Sequence, residues 1–477
     1  MKKNQLKNFA LITLLILATG GAMAYSSGRP GGFFSGWNSG SDRPHPAGDT
    51  ILKASAGLVQ NKVLRGSAGS VGLSLTLQAG QLAPADSPQT RNVDMVIVLD
   101  RSGSMQGRKL GDARRAVLNL LSNLSDRDRF AMVTYSNGIQ IVSGLVNVTK
   151  DSRGRLEAGV RGVTAGGGTN LGAGLQAGID MLRSTLRTRN AARLILISDG
   201  LANEGVTDPR TLSDMASTAL EGEFAISTVG VGADFNEQLM TAIADRGTGN
   251  YYYLENPAAF AEVFRQEFDN TQSAAVTGLK IAIPVSGGIT LVDAAGYPIE
   301  VKDGQAVFYP GNLRSGQIRK LYLALQVPTD RQKKFELDRI QIGYQHNQQT
   351  YITILDESLT IACLDDREKV YSSIDKPAWS QKVIKDDFNR LRQEVAADIK
   401  TGKKQAALKK IEVYRDEQEA LNTVVGSDSV THNLETDLDD LKTLVRDTFE
   451  GVPAEVREKQ KSNAKSLQYE GYRGRRQ

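Results

Sequence analysis

Val93-Asp94-Met95-Val96-Ile97-Val98-Leu99-Asp100-Arg101-Ser102-Gly103-Ser104 is the stretch on which the fold turns. Apart from Asp94, its first seven residues are apolar, as a strand covered on both faces requires. The run then breaks into a loop of small polar residues. The same texture recurs downstream. Apolar runs at Phe130–Tyr135, Leu194–Ser198, Ala225–Val231 and Tyr251–Leu254 are predicted strands, with Ile139–Val142 as a short edge partner. Between them, Leu110–Leu124, Leu171–Leu186, Arg210–Leu220 and Ala258–Phe268 carry helical periodicity. Strand and helix in alternation predict an α/β doubly wound domain over residues 91–272, its sheet mostly parallel and covered on both faces. Such sheets bind ligands beyond the carboxyl ends of their strands.

On either side the period changes to two. Val71, Leu73, Leu75 and Leu77 alternate with small or polar residues within residues 51–90. Leu279/Ile281/Ile283, Leu321/Leu323/Leu325, Ile340/Ile342/Tyr344 and Leu359/Ile361 do the same within residues 273–365. Strands so few as those before residue 91 are not stable alone. Both segments are therefore expected in one β-sandwich with the α/β domain inserted; the alternative is a small extra hairpin on the α/β domain. Residues 366–452 are expected to be helical. Ile384/Phe388/Leu391/Val395, Leu408/Ile411/Tyr414/Leu421 and Leu434/Leu438/Leu441/Val445 form three apolar stripes, separated by turns at Thr401-Gly402 and Gly426-Ser427. The chain is thus multi-domain, as 477 residues would suggest.

Both ends are read separately. Lys2, Lys3 and Lys7 precede the apolar run Phe9–Ala18 and then Ala22-Met23-Ala24, the plan of a signal peptide over residues 1–24. A Gly/Ser/Pro-rich flexible leader follows over residues 25–50. Export to the periplasm or cell envelope, or secretion, is the expectation; anchoring in the inner membrane by an uncleaved N-terminus is the alternative. No other window is apolar enough to cross a bilayer. Residues 453–477 lack periodicity and are expected to be a disordered basic tail, either solubilising or in weak contact with anionic envelope components.

Charge and composition narrow the chemistry. The formal net charge is +4, and the last 27 residues alone hold seven Lys/Arg against three Glu. The rest is near neutral, which leaves no dense basic face for nucleic acid. One cysteine, Cys363, and three histidines, His45, His346 and His432, exclude disulfides within the chain and Cys- or His-rich metal centres. No P-loop and no His-Glu-x-x-His is present. What remains is oxygen chemistry. Asp100, Ser102 and Ser104 alternate on the loop after the first α/β strand, Thr169 follows Gly166-Gly167-Gly168, and Asp199 ends the strand Leu194–Ser198. Two carboxylates and three hydroxyls suit octahedral Mg²⁺ or Mn²⁺ and suit zinc poorly.

This arrangement resembles the metal-ion-dependent adhesion site of von Willebrand factor type A domains, which are Rossmann-like. Asp-x-Ser-x-Ser, the Gly-rich turn with Thr and the later Ser-Asp-Gly occur in the expected order. The flanking strands and helical region are also similar to bacterial calcium-activated chloride channel homologues and, through the type A domain, to inter-alpha-trypsin inhibitor heavy chains. The resemblance implies a non-enzymatic protein-binding module, for adhesion or assembly. Mg²⁺ (or Mn²⁺ or Ca²⁺) would be bound directly by Ser102, Ser104 and Thr169 and mainly through water by Asp100 and Asp199. An open position would accept an Asp or Glu carboxylate of a partner protein. Arg101 is either a second contact to that ligand or a solvated charge. The alternative function is a scaffold, or a regulator of an envelope transporter or channel, whose metal chiefly stabilises the fold.

Overall fold

The computed structural model describes residues 45–46, 51–82, 92–184, 190–221, 224–347, 349–355 and 357–476. The signal peptide and nearly all of the leader lie outside the described residues. Of the leader, His45–Pro46 pairs in parallel with Tyr351–Ile352.

The six strands of the α/β domain are β1 (Val93–Asp100), β2 (Arg129–Tyr135), β3 (Ile139–Asn147), β4 (Ala191–Ser198), β5 (Phe224–Val231) and β6 (Thr248–Leu254). They lie in the order β3-β2-β1-β4-β5-β6, and only β3 is antiparallel to its neighbour. Chain order therefore reverses between β1 and β4, whose carboxyl ends stand side by side with Leu99 opposite Ile197. Every residue of β1 is buried, alternate side chains entering opposite faces. Met95, Ile97 and Leu99 pack with α1 (Arg108–Asn123), α2 (Lys150–Arg161) and α6 (Phe260–Gln272). Val96 and Val98 pack with α3 (Leu171–Arg183), α4 (Pro209–Ala216) and α5 (Glu237–Arg246). Glycine brings α3 unusually near the sheet. A Cβ on Gly178 would lie 2.5 Å from Val98, and one on Gly174 2.6 Å from the Tyr135 ring.

A buried polar cluster pins α6. Glu267 accepts from Ser227 at 2.5 Å, Tyr252 at 2.6 Å and Asn250 at 2.7 Å, and pairs with Arg193 at 3.2 Å. Burial and the neighbouring Glu267 carboxylate push the Tyr252 hydroxyl far above its usual pKa. A fully satisfied network of this kind admits one register of α6 on the sheet. After Ser273 the chain enters the strand Ala274–Pro284 without a linker.

The strands before and after this domain meet. Ser70–Ala79 pairs antiparallel with both Leu52–Leu58 and Ile318–Gln326, and Lys62–Leu64 runs parallel to part of Leu359–Leu364. Leu73, Leu75 and Leu77 share one core with Ile281, Leu323, Phe335 and Ile342. Connectivity thus places the α/β domain between strands of a common sheet. Downstream, Lys376–Lys382, Val383–Asp387 and Phe388–Lys400 run on as one helix with a widened middle turn. Lys404–Val425 and Leu438–Thr448 pack beside it.

Residues 453–476 are not the disordered tail expected from the sequence. Pro453–Arg476 is a single helix laid across the α/β domain, the flanking strands and the helical region. Lys465 donates to Glu237 at 2.9 Å and to the Phe235 carbonyl at 2.7 Å. Arg475 bridges Asp386 at 2.7 Å and Asp293 at 2.6 Å, and Arg476 forks onto Asp245. Tyr472 meets Tyr251 edge-on, with ring centroids 5.4 Å apart. The anchors are charged and aromatic groups matched to buried acids and rings, so hydrophobic periodicity could not reveal them. With Arg475 and Arg476 consumed in internal ion pairs, the tail also loses much of the free charge that attraction to an anionic surface needs.

Replacing Arg476 by Met strands the buried Asp245 carboxylate. The expected loss is about 3 kcal/mol of stability in urea unfolding; a loss below about 1 kcal/mol would show that this contact is peripheral.

Candidate metal site

Asp100 ends β1 fully buried. Its Oδ1 accepts the Ser102 N–H at 2.8 Å, which turns the backbone out of the strand, and its Oδ2 accepts the Ser198 hydroxyl at 3.0 Å. The turn brings Ser102 and Ser104 to the same side, their Oγ atoms 3.0 Å apart. Ser104 donates to Asp199 Oδ1 at 2.7 Å, so the hydrogen between the two serines belongs to Ser102. Asp199, also fully buried, stands just past the end of β4, and its Oδ2 accepts from Lys109 Nζ at 2.6 Å.

Thr169 reaches the cluster from the Gly-rich loop ahead of α3. Gly166 donates to the Arg101 carbonyl at 2.8 Å and Gly103 to the Gly167 carbonyl at 3.0 Å, lacing this loop to the Asp100–Ser104 turn. Gly167, at φ +86, holds a left-handed conformation that glycine adopts without strain. Thr169 N–H donates to Asn203 Oδ1 at 2.8 Å, and the next residue, Asn170, caps α3. A Cβ on Gly200 would lie 3.5 Å from Ser104 Oγ and 3.6 Å from Thr169 Oγ1, so both hydroxyls face that glycine. All five predicted residues are brought together at the reversal in strand order.

The electrostatics are demanding. Burial raises the Asp100 carboxyl to about 6, opposed by its hydrogen bonds from Ser102 and increased by the nearby Asp199. Two buried carboxylates at adjoining strand ends favour a cation between them. Among the described residues no cluster of three or more His, Cys, Asp or Glu side chains is placed to hold a metal, so hydroxyls must supply the other ligands. The spacing suits a small ion. Ligands at about 2.0–2.1 Å around octahedral Mg²⁺ lie about 2.9 Å from one another, and the Ser102 and Ser104 hydroxyls stand 3.0 Å apart. The donor set fits Mg²⁺ or Mn²⁺ better than the larger Ca²⁺.

Four supporting residues were not singled out from the sequence: Ser198, Lys109, Asn137 and Asn203. Ser198 lies inside Ser-Asp-Gly and holds Asp100. Asn137 accepts from the Gly168 N–H and Asn203 from Thr169. Neither asparagine sits in a motif, because their partners are backbone groups of other loops. Arg101 is partly buried, and its Nε has no hydrogen-bond partner among the described residues.

Known proteins match this region. Residues 94–266 match the model of the von Willebrand factor type A domain. Over 176 residues the chain is 30% identical to the uncharacterized protein YfbK of Escherichia coli (strain K12), covering 36% of this chain and 30% of that one. Over 218 residues it is 27% identical to human inter-alpha-trypsin inhibitor heavy chain H4, covering 43% and 23%. The chain spans under half the length of the curated relatives it matches. A solved von Willebrand factor type A protein from Catenulispora acidiphila superposes with a TM-score of 0.65 at 19% identity, covering 90% of this chain and 99% of that one. The similarity in fold thus extends well beyond the α/β domain.

Millimolar Mg²⁺ or Mn²⁺ is expected to raise the first thermal midpoint of the chain by about 5 °C. Ser104→Ala and Asp199→Asn should lose that gain while keeping their circular dichroism spectra. An equal rise in the variants would place the cation elsewhere.

Proposed function

Residues 94–266 are a von Willebrand factor type A domain, and from that premise we propose that this chain is an exported, non-enzymatic binding protein that captures an acidic side chain of a partner protein. Asp100, Ser102, Ser104, Thr169 and Asp199 would hold Mg²⁺ or Mn²⁺, with the flanking strands acting as a β-sandwich platform. The bound cation supplies a Lewis-acidic position for the incoming carboxylate, a charge-assisted bond able to anchor a modest interface. One observation carries this reading: hydroxyls and carboxylates from three separate loops converge at one edge of the sheet.

The chain's own residues do the rest. Ser198 and the Ser102 N–H hold Asp100 in one orientation. Asn203 and Asn137 hold the Gly-rich loop, so Thr169 Oγ1 and Ser104 Oγ both stay facing Gly200. Arg101 Nε is buried beside the cluster without an acceptor among the described residues. Around the mouth, Leu201 and Val206 are exposed apolar side chains able to pack against a protein surface. The two carboxylates are engaged in orienting hydroxyls, Asp199 that of Ser104 and Asp100 that of Ser198, as a binding site requires. The N-terminal sequence supports export, and among the described residues no helix is long and apolar enough to cross a membrane.

Immobilised chain in Mg²⁺ should retain specific proteins from a cell-envelope extract and release them into EDTA. Asp100→Ala, folded by circular dichroism, should retain none of them. Retention indifferent to both EDTA and this substitution would refute metal-dependent capture.

A further inference from the structure

We propose that Lys109 is a built-in counter-charge which weakens cation uptake at this site and in exchange strengthens the hold on an anionic ligand, an inference that rests on the metal reading above. Lys109 stands in the first turn of α1 with its side chain 31% exposed, and its ammonium lies 2.6 Å from Oδ2 of the fully buried Asp199. The two oxygens of Asp199 are thereby divided. Oδ1 takes the Ser104 hydrogen and faces the hydroxyl cluster, while Oδ2 takes the ammonium. Asp100 differs, since both its oxygens accept from neutral donors and its charge is uncompensated.

The surroundings keep Lys109 on Asp199. The other acid near it, Asp234, is paired with Lys461 of the C-terminal helix at 2.7 Å. On its far side lies Gly232 at φ +70, where a Cβ would stand 3.5 Å from the ammonium. The β5–α5 loop therefore flanks the lysine with a carboxylate already engaged by Lys461, while Asp199 holds the ammonium directly.

Charge balance gives the consequence. Asp100, Asp199 and Lys109 sum to one net negative charge, and Arg101 and Glu204 of the surrounding loops offset one another, so a divalent cation turns the site net positive. Without the ammonium, the same cation would merely neutralise it. A carboxylate arriving from a partner is drawn to the first state and not to the second. A unit charge about 5 Å away at an effective dielectric of about 20 changes a binding constant by well over tenfold, and partial exposure of Lys109 reduces this to about tenfold. The ammonium thus exchanges metal affinity for ligand affinity, which suits a site whose task is to bind an outside acid.

The test compares the native chain with Lys109→Met, which keeps the apolar stem, and Lys109→Arg, which keeps the charge. Free Mn²⁺ is followed by electron paramagnetic resonance. Acetate serves as the carboxylate probe, read by Mn²⁺-induced broadening of its methyl proton signal. Lys109→Met should bind Mn²⁺ about tenfold more tightly than native and broaden acetate about tenfold less at equal Mn²⁺ loading; Lys109→Arg should stay within about twofold of native in both. Equal Mn²⁺ affinity in all three, or Lys109→Arg behaving as Lys109→Met, would overturn the counter-charge. No Mn²⁺ uptake by the native chain would overturn the metal reading itself, and this inference with it.

Discussion

The parallel pairing of β1 with β4 is the constraint on which the rest depends. It sets Asp100 and Asp199 at adjoining strand ends, both fully buried, where their charges disfavour one another. Most of what surrounds them answers that cost. Ser198 and a backbone N–H hold one carboxylate; Ser104 and Lys109 hold the other. The Gly-rich loop is laced to the same turn by two backbone hydrogen bonds, which brings Thr169 into the group. A core of branched side chains makes β1 and β4 rigid enough for these positions to be kept.

The α/β domain was legible because its central strands β1, β4 and β5 are buried on both faces and read as nearly unbroken apolar runs. The five oxygen-bearing residues were legible for a different reason: each lies at a strand end or just ahead of a helix, where the alternation already marks a loop on one edge of the sheet. Their mutual contact was implied by that edge, but the partners that orient them were not. Asn137 and Asn203 act on backbone groups far away in sequence, so no local spacing betrays them. Lys109 lay in plain view nine residues after Asp100, yet a lysine in a helix ordinarily reads as solvated charge.

The C-terminal helix shows where periodicity fails. Its anchors are Lys465, Tyr472, Arg475 and Arg476, which in sequence look like a basic, soluble tail. In the fold each finds a buried acid or ring contributed by a different part of the chain: Glu237 and Asp245 from the α/β domain, Asp293 from the flanking strands, Asp386 from the helical region. Gly471 permits the approach, since a Cβ there would lie 2.5 Å from the Asn389 carbonyl. One helix thereby ties three regions together, and the loop it grips through Asp234 and Phe235 is the one that walls in Lys109.

Anomalous diffraction from crystals of the chain grown with Mn²⁺ would locate the cation among the five oxygen-bearing side chains. One strong peak is expected within about 2.3 Å of the hydroxyl oxygens of Ser102, Ser104 and Thr169. Mn²⁺ absent from that position, or seated on other side chains while these three hydroxyls remain bonded only to protein and water, would contradict the metal reading.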